Sequence, residues 1–400
     1  MIFPRFPAAR ISYLTTACLP LLVLAVFVQV CPLRAQDSPA FKIDETVTRF
    51  AFSADGRIAY AVRHVFSEKK IQLQRDDLWI ADRDGKRRRI LQGDKFVRGT
   101  LPFSYTVRGF LWSPDGSKLA VELATSEMIN DDGDTRDGVA TLLLDDTGRE
   151  IQVSGGDSII TGASNAAWLA DGATVAYWTE IQKPAAAAPK AGRQEPPPPI
   201  LPLDRSFSMM RVNVMTGNSG ALFAGRLFSA LAWGGKRGDA MAIERSPDTS
   251  LHPRLVQIGP GAESSRDLAT LDGYAGGLEI SPSGKKVAYW IDNEQLEIRD
   301  TVLPTRVARV RVAVGLLAWS ADETRVLVKR GAAARSGDLV WVSVPGLSNS
   351  AGGAMPAAVE VTPQAILHDL EFRQFDISED GRTLAVVEPG KRNLLVYVLP

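Results

Sequence analysis

Apolar residues recur at every second position in short runs along this chain, each followed by a polar turn and a second apolar run. Seven segments share the pattern, beginning at Phe50, Phe110, Ala166, Leu231, Leu278, Leu317 and Phe375. The turn is clearest at Ser113-Pro114-Asp115-Gly116. It recurs as Ser53-Ala54-Asp55-Gly56, Ser281-Pro282-Ser283-Gly284 and Ser378-Glu379-Asp380-Gly381. Pro or Ala suits the second position of a type I turn, Asp tolerates the third, and Gly takes the positive φ that follows. A period of two on both sides of such a turn predicts a tight β-hairpin with one buried face.

Alignment on the Asp slot (Asp55, Asp115, Asp171, Lys236, Ser283, Asp322, Asp380) tests the repeat. Three positions earlier stand Phe52, Trp112, Trp168, Trp233, Ile280, Trp319 and Ile377. Four positions after the slot the second strand opens with Leu119, Val175, Ala240, Val287, Val326 and Leu384, and one place early with Ile58 in the first copy. Copies four and six lack the turn signature, with Gly235-Lys236-Arg237 and Ala321-Asp322-Glu323 in its place, and read as degenerate. The recurrent tryptophan reads as packing between sheets.

Repetition at this spacing fits four-stranded propeller blades, which need about 40–50 residues each before loop insertions. Further strands are expected at Leu78–Ala81 and Arg88–Leu91, at Thr141–Leu144 and Ile151–Val153, and at Leu339–Val342. The last copy has room for second and third strands, Leu384–Val387 and Leu394–Val398, but not for a fourth. Phe41–Val47 is expected to supply it. The fold class is therefore all-β: a seven-bladed β-propeller of four-stranded antiparallel blades, the last closed by the N-terminal strand. Such closure removes an open sheet edge.

Composition adds limits. At 400 residues and 45% hydrophobic, the chain can bury a large core. Its 46 basic and 46 acidic residues balance, which argues against a nucleic-acid partner. Residues 1–35 read as a signal peptide, with Arg5 and Arg10 before an apolar stretch from Leu19 to Val30 and a small residue at Ala35. Membrane contact is expected only through that segment if it stays uncleaved. Both cysteines, Cys18 and Cys31, lie inside it, so a chain of residues 36–400 has none. That suits an oxidising compartment and leaves no thiol nucleophile or thiolate metal site. A periplasmic or secreted monomer is the expectation.

The Ser-Pro-Asp-Gly turn followed by Leu119-Ala120, or by Val287-Ala288-Tyr289, resembles the propeller repeat of TolB-like periplasmic proteins. Leu78-Trp79-Ile80-Ala81-Asp82-Arg83-Asp84-Gly85 resembles the third strand and exit turn of the same WD-repeat-like unit. The resemblance spans residues 40–400 and implies the propeller fold. Members of the family place an α/β domain before the propeller, for which residues 36–49 leave no room. The repeats also resemble, more distantly, the propeller of the prolyl oligopeptidase family. That family's hydrolase carries a Gly-x-Ser-x-Gly elbow, and the pentapeptide is absent from this sequence.

Candidate chemistry is sparse. No catalytic constellation, cofactor motif or metal-spaced ligand set appears. His64, His252 and His368 fall in different copies, and Asp131-Asp132-Gly133-Asp134 does not follow the calcium-loop order. Most inner-strand positions facing the expected channel are small: Ala51, Ala167, Ala232 and Ala318. Glu279 and Asp376 are the acidic exceptions and the candidate channel carboxylates. Lys183–Asp204, with the run Pro196–Pro199, reads as a loop between the second and third strands of copy three, and Pro345–Pro356 as a similar loop in copy six. PxxP segments dock in aromatic grooves. The leading expectation is a protein- or glycan-binding scaffold of the cell envelope. The alternatives are a lactonase- or lyase-like propeller enzyme with its site at the channel, and an accessory propeller to a separately encoded hydrolase.

Overall fold

The computed structural model describes residues 39–68, 71–96, 103–130, 134–153, 157–180, 207–223, 226–234, 239–245, 252–259 and 264–271. It further describes residues 273, 275–292, 294–312, 317–330, 337–349, 357–358, 364–370, 374–388 and 390–399. The expected signal segment 1–35 and the insertion 183–204 lie outside them.

The described chain is nearly all antiparallel strand, and its one described helical element is the single turn Gly93–Lys95. A short β1 (Phe41–Ile43) precedes the first repeat. That repeat runs β2 (Val47–Phe52), β3 (Ile58–Glu68), β4 (Ile71–Ala81) and β5 (Arg87–Leu91). The second runs β6 (Phe103–Trp112), β7 (Lys118–Met128), β8 (Thr135–Asp145) and β9 (Ile159–Thr161). Next come β10 (Ala163–Trp168), β11 (Thr174–Glu180), β12 (Phe207–Asn213) and β13 (Ser219–Ala221). The fourth set is β14 (Leu227–Trp233), β15 (Ala240–Arg245), β16 (Arg254–Ile258) and β17 (Ser265–Thr270). The fifth is β18 (Ala275–Ile280), β19 (Lys286–Ile291), β20 (Gln295–Asp300) and β21 (Arg306–Arg311). The sixth holds β22 (Leu317–Trp319), β23 (Arg325–Arg330), β24 (Gly337–Ser343), β25 (Ser348–Asn349) and β26 (Gln364–Leu370). The last holds β27 (Phe375–Ile377), β28 (Thr383–Val387) and β29 (Leu394–Val398).

Within each set, consecutive strands pair as a meander, apart from β25. The first and second sets share one sheet through a single bridge between Arg75 and Tyr105; the third and fourth are joined likewise through Phe207 and Phe228. β1 pairs with β29, placing Phe41 opposite Val396 and Ile43 opposite Leu394. The expected strand Phe41–Val47 is thus two elements, for Val47 already opens β2. A second correction concerns the outer strand of the second repeat. Ile151–Val153 lies outside the named strands, and Ile159–Thr161 pairs with β8 instead.

The core lies between repeats as well as within them. One buried cluster joins Leu78 and Ile80 of the first repeat to Phe103, Tyr105 and Phe110 of the second. Another joins Phe50, Ile58 and Tyr60 of the first to Ala385, Val387 and Val396 of the last, with Ile43 of β1 between them. Burial of each large apolar side chain contributes about 1.5–3 kcal/mol.

The turn owes its shape to its serine as much as to its glycine. Ser113 Oγ donates to Asp115 at 2.5 Å and accepts from Lys118 N–H at 2.9 Å. Ser378 repeats this with Asp380 at 2.6 Å and Thr383 N–H at 2.9 Å. These bonds hold the aspartate ionised: burial raises Asp115, but hydrogen bonds from Ser113 and Ser117 and the Lys118 charge bring it down to about 2. Copy six, read as degenerate, forms the same turn. Ser320 Oγ donates to Asp322 at 2.6 Å, and Glu323 takes the left-handed φ of 56° where other copies place glycine. Its carboxylate accepts a hydrogen bond from Ser283 N–H and lies 3.8 Å from Lys286, both in the preceding repeat. In copy four, residues 235–238 lie outside the described residues, while Trp233 and Ala240 still pair across the hairpin.

Candidate functional site

The inner strands place equivalent residues side by side. Ala51 pairs with Ala59, Ala167 with Ala176, Glu279 with Ala288 and Asp376 with Ala385, each one place before the recurrent Phe, Trp or Ile. A cavity of about 340 Å³ opens at their turn ends. Ala51, Leu111, Ala167, Trp233 and Asp376, from five repeats, all line it.

Asp376 does two jobs there. Its Oδ2 accepts from Phe52 N–H of the first repeat at 3.3 Å, and its Oδ1 from Ile377 N–H at 2.8 Å. Burial raises its pKa to about 6, against the pull of those two amides. Glu279 is pushed further, to about 8, by burial among the inner strands and then by the negative charge of Asp376. The charge of Asp376 therefore acts on Glu279 and, with burial, favours its protonated form. Carboxyl groups so separated in affinity can act as acid and base. The Glu279 side chain is reached by solvent although protein surrounds it, as on a channel wall.

The recurrent tryptophans do more than pack. Trp112 donates its indole N–H to Ala51 O at 3.3 Å, Trp233 to Asn165 O at 3.2 Å and Trp319 to Glu279 O at 3.1 Å, each crossing to the preceding repeat. A cation from the preceding repeat stacks on the ring: Arg57 on Trp112 at 5.2 Å, Lys118 on Trp168 at 5.5 Å and Lys286 on Trp319 at 6.0 Å. Basic residues at or just before the start of the second strand carried this signal in the sequence in three repeats, at Arg57, Lys118 and Lys286.

At the opposite end of the inner strands, two hairpins outgrow the rest. β3–β4 stays paired from Ile58–Ala81 to Glu68–Ile71, and β7–β8 from Lys118–Asp145 to Met128–Thr135. These 11-residue strands compare with 5–7 residues in the second strands of the other repeats. Val65 and Ile129 near the tips are 47% and 55% exposed. The acidic stretch at the second tip is a solvated hairpin in its described part, where Arg136 bonds Glu127 at 2.6 Å and Asn130 bonds Asp134 at 2.7 Å. A cavity of about 440 Å³ lined by Phe103, Glu127, Arg136 and Asp157 runs along this arm. In the sequence, residues 183–204 fall between β11 and β12, outside the described residues.

Other sequence candidates fall elsewhere. His64 stacks on Phe66 with ring centroids 5.8 Å apart, and His252 is exposed. Among the described residues no three His, Cys, Asp or Glu side chains gather as a metal site. Residues 348–349, expected in a loop, form β25 and pair with β21 of the fifth repeat. Arg87, Arg88 and Arg89 lie in succession on the outer strand β5, where Arg87 reaches Glu45 at 2.9 Å and Arg89 reaches Asp77 at 3.3 Å.

No family model matches the chain, and no curated protein matches it by sequence. Solved structures do resemble it. The β-propeller domain of Cps50 (Swd1) from Myceliophteria thermophila matches with a TM-score of 0.53 at 11% identity, over 91% of this chain and 99% of that one. A prolyl endopeptidase matches with a TM-score of 0.54 at 12% identity, over 89% of this chain and 51% of that one. At such identity the likeness establishes the fold alone: the chain is a β-propeller.

Proposed function

We propose that this protein is an exported, monomeric, seven-bladed propeller of the TolB-like kind that serves as a binding scaffold of the cell envelope, its partner a protein or a glycan. Each four-stranded set is one blade, and β1 closes the ring as the outer strand of the last. Residues 1–35 direct export and are removed, leaving a periplasmic or secreted chain of residues 36–400.

The observation that carries the binding role is the pair of long hairpins on adjacent blades. Each extends a rigid sheet past the ring and presents an apolar residue, Val65 or Ile129, where solvent would otherwise favour a polar one. Recognition commonly resides on such projections from a fixed scaffold. Capture from envelope extract with the chain of residues 36–400 tests the reading. A partner retained by the wild type and lost from a Val65→Asp, Ile129→Asp double variant of unchanged melting temperature is the expected result. No partner above background contradicts it.

A second reading has its own observation: Glu279 and Asp376, held at about 8 and about 6 on the channel wall. A lactonase- or lyase-like activity would use Asp376 as base and Glu279 as acid. Hydrolysis or elimination lost on Glu279→Gln would support it, and its absence across lactone and uronate substrates would discard it.

A further inference from the structure

We propose that Arg49, Arg63, Arg108 and Arg392 form a binding site for a phosphate-class oxyanion, at the end of the channel remote from Glu279 and Asp376 and independent of the scaffold reading. The four side chains come from the first, second and last repeats and line one cavity of about 220 Å³ together with Thr48 and Thr106. Among the described residues no acidic one lines it. The volume lies below the roughly 300–1,000 Å³ typical of drug-sized ligands, which fits a small anion or the phosphate end of a larger molecule.

The charges do not cancel. Arg63 is matched by the buried Asp76, with Nε to Oδ1 at 2.5 Å, and Arg108 faces Glu122 at 3.5 Å. Asp76 Oδ2 also accepts from Val107 N–H at 2.8 Å and from Thr48 Oγ1 at 3.4 Å, at the edge of the cavity. Arg392 makes no ion pair among the described residues. Arg392 thus brings to the cavity a positive charge that no described carboxylate offsets.

The donors are also oriented in advance. Arg49 donates Nε–H to Arg108 O at 3.0 Å and Nη1–H to Thr48 O at 2.7 Å, which fixes the plane of its guanidinium. Arg63 is fixed by Asp76 and by Gln74 at 2.9 Å. Arg392 sits at a φ of 59°, a conformation that costs a side-chain-bearing residue about 1–3 kcal/mol. It is held there by Val47 N–H donating to Arg392 O at 2.9 Å. A bond between repeats accounts for Arg49, and a buried ion pair for Arg63. Neither accounts for an arginine kept in a strained turn beside them. Guanidinium forks converging from three repeats offer more donors than a planar carboxylate accepts, and they suit the tetrahedral oxygens of phosphate.

Titration calorimetry of the protein with inorganic phosphate and with glycerol phosphate tests the site and separates a free ion from a phosphomonoester. Binding of either at low salt, weakened about tenfold or more by Arg392→Ala and by Arg49→Gln, is expected. It should also weaken at about 0.3 M salt. Arg392→Lys, which keeps the charge and loses the fork, should fall between wild type and Arg392→Ala. Melting temperatures establish that each variant is folded, and Arg392→Gln replaces any that is not. Failure of both probes to bind at millimolar concentration, or binding indifferent to Arg392 and Arg49, overturns the proposal.

Discussion

Gln374 in the last repeat occupies both backbone groups of Phe50 in the first: its Nε2–H donates to Phe50 O at 2.6 Å, and its Oε1 accepts from Phe50 N–H at 3.4 Å. Phe50 is buried and lies on an innermost strand, whose outward groups have no further strand to pair with. One side-chain amide therefore stands in for that strand, and Asp376 continues the contact two residues on by accepting from Phe52 N–H.

Gln374→Leu keeps the volume and removes both bonds, leaving a buried N–H and C=O unpaired. A loss of about 1–3 kcal/mol is expected, read from the denaturant midpoint. An unchanged midpoint would mean that the amide is incidental.

Glu323 gives a cleaner comparison. Glu323→Ala and Glu323→Gly both lose the tie to Ser283 and Lys286, but alanine keeps the unfavourable φ and glycine relieves it. The alanine variant should be the less stable by about 1 kcal/mol in urea unfolding. Equal stabilities would show that the left-handed turn carries no strain.

Glu279 makes stability depend on pH. Its folded pKa of about 8 lies above the ordinary carboxylate value of 4.5, so the folded state binds more proton between them and stability falls as pH rises across that window. Glu279→Gln removes the effect. The variant should match wild type near pH 4.5 and melt higher than it at pH 8. Water reaching the side chain along the channel limits the gain to a few degrees. A variant that melts lower than wild type at pH 8 would contradict this charge arrangement.

Strand period and Ser-x-Asp turns were legible because each is a local consequence of residue order. Trp112, Trp168, Trp233 and Trp319 stood out for the same reason, although the indole bonds of Trp112, Trp233 and Trp319 to the preceding repeat required neighbouring backbones to be placed. The turn at Glu323 was misread because a glycine was expected at positive φ, and the carboxylate offsetting that strain acts on another repeat. The Gln374–Phe50 clasp joins residues 324 positions apart and has no sequence pattern of its own. Glu279 and Asp376 were visible as acids among alanines, whereas their raised pKa values arise only from burial and, for Glu279, from the charge of Asp376. The long arms were hidden because β3 and β7 continue the same alternation past the point where other repeats turn.

The ring reading depends on β1 acting as the fourth strand of the last repeat, where Ile43 is fully buried beside Phe50 and Val396. Removing residues 36–48 and measuring the melting temperature against the chain beginning at Gln36 tests it most directly. Loss of the burial contributed by Phe41, Ile43 and Val47, with the edge of β29 left open, should lower the melting temperature by about 5–10 °C. A melting temperature equal to that of the longer chain would contradict the closed ring.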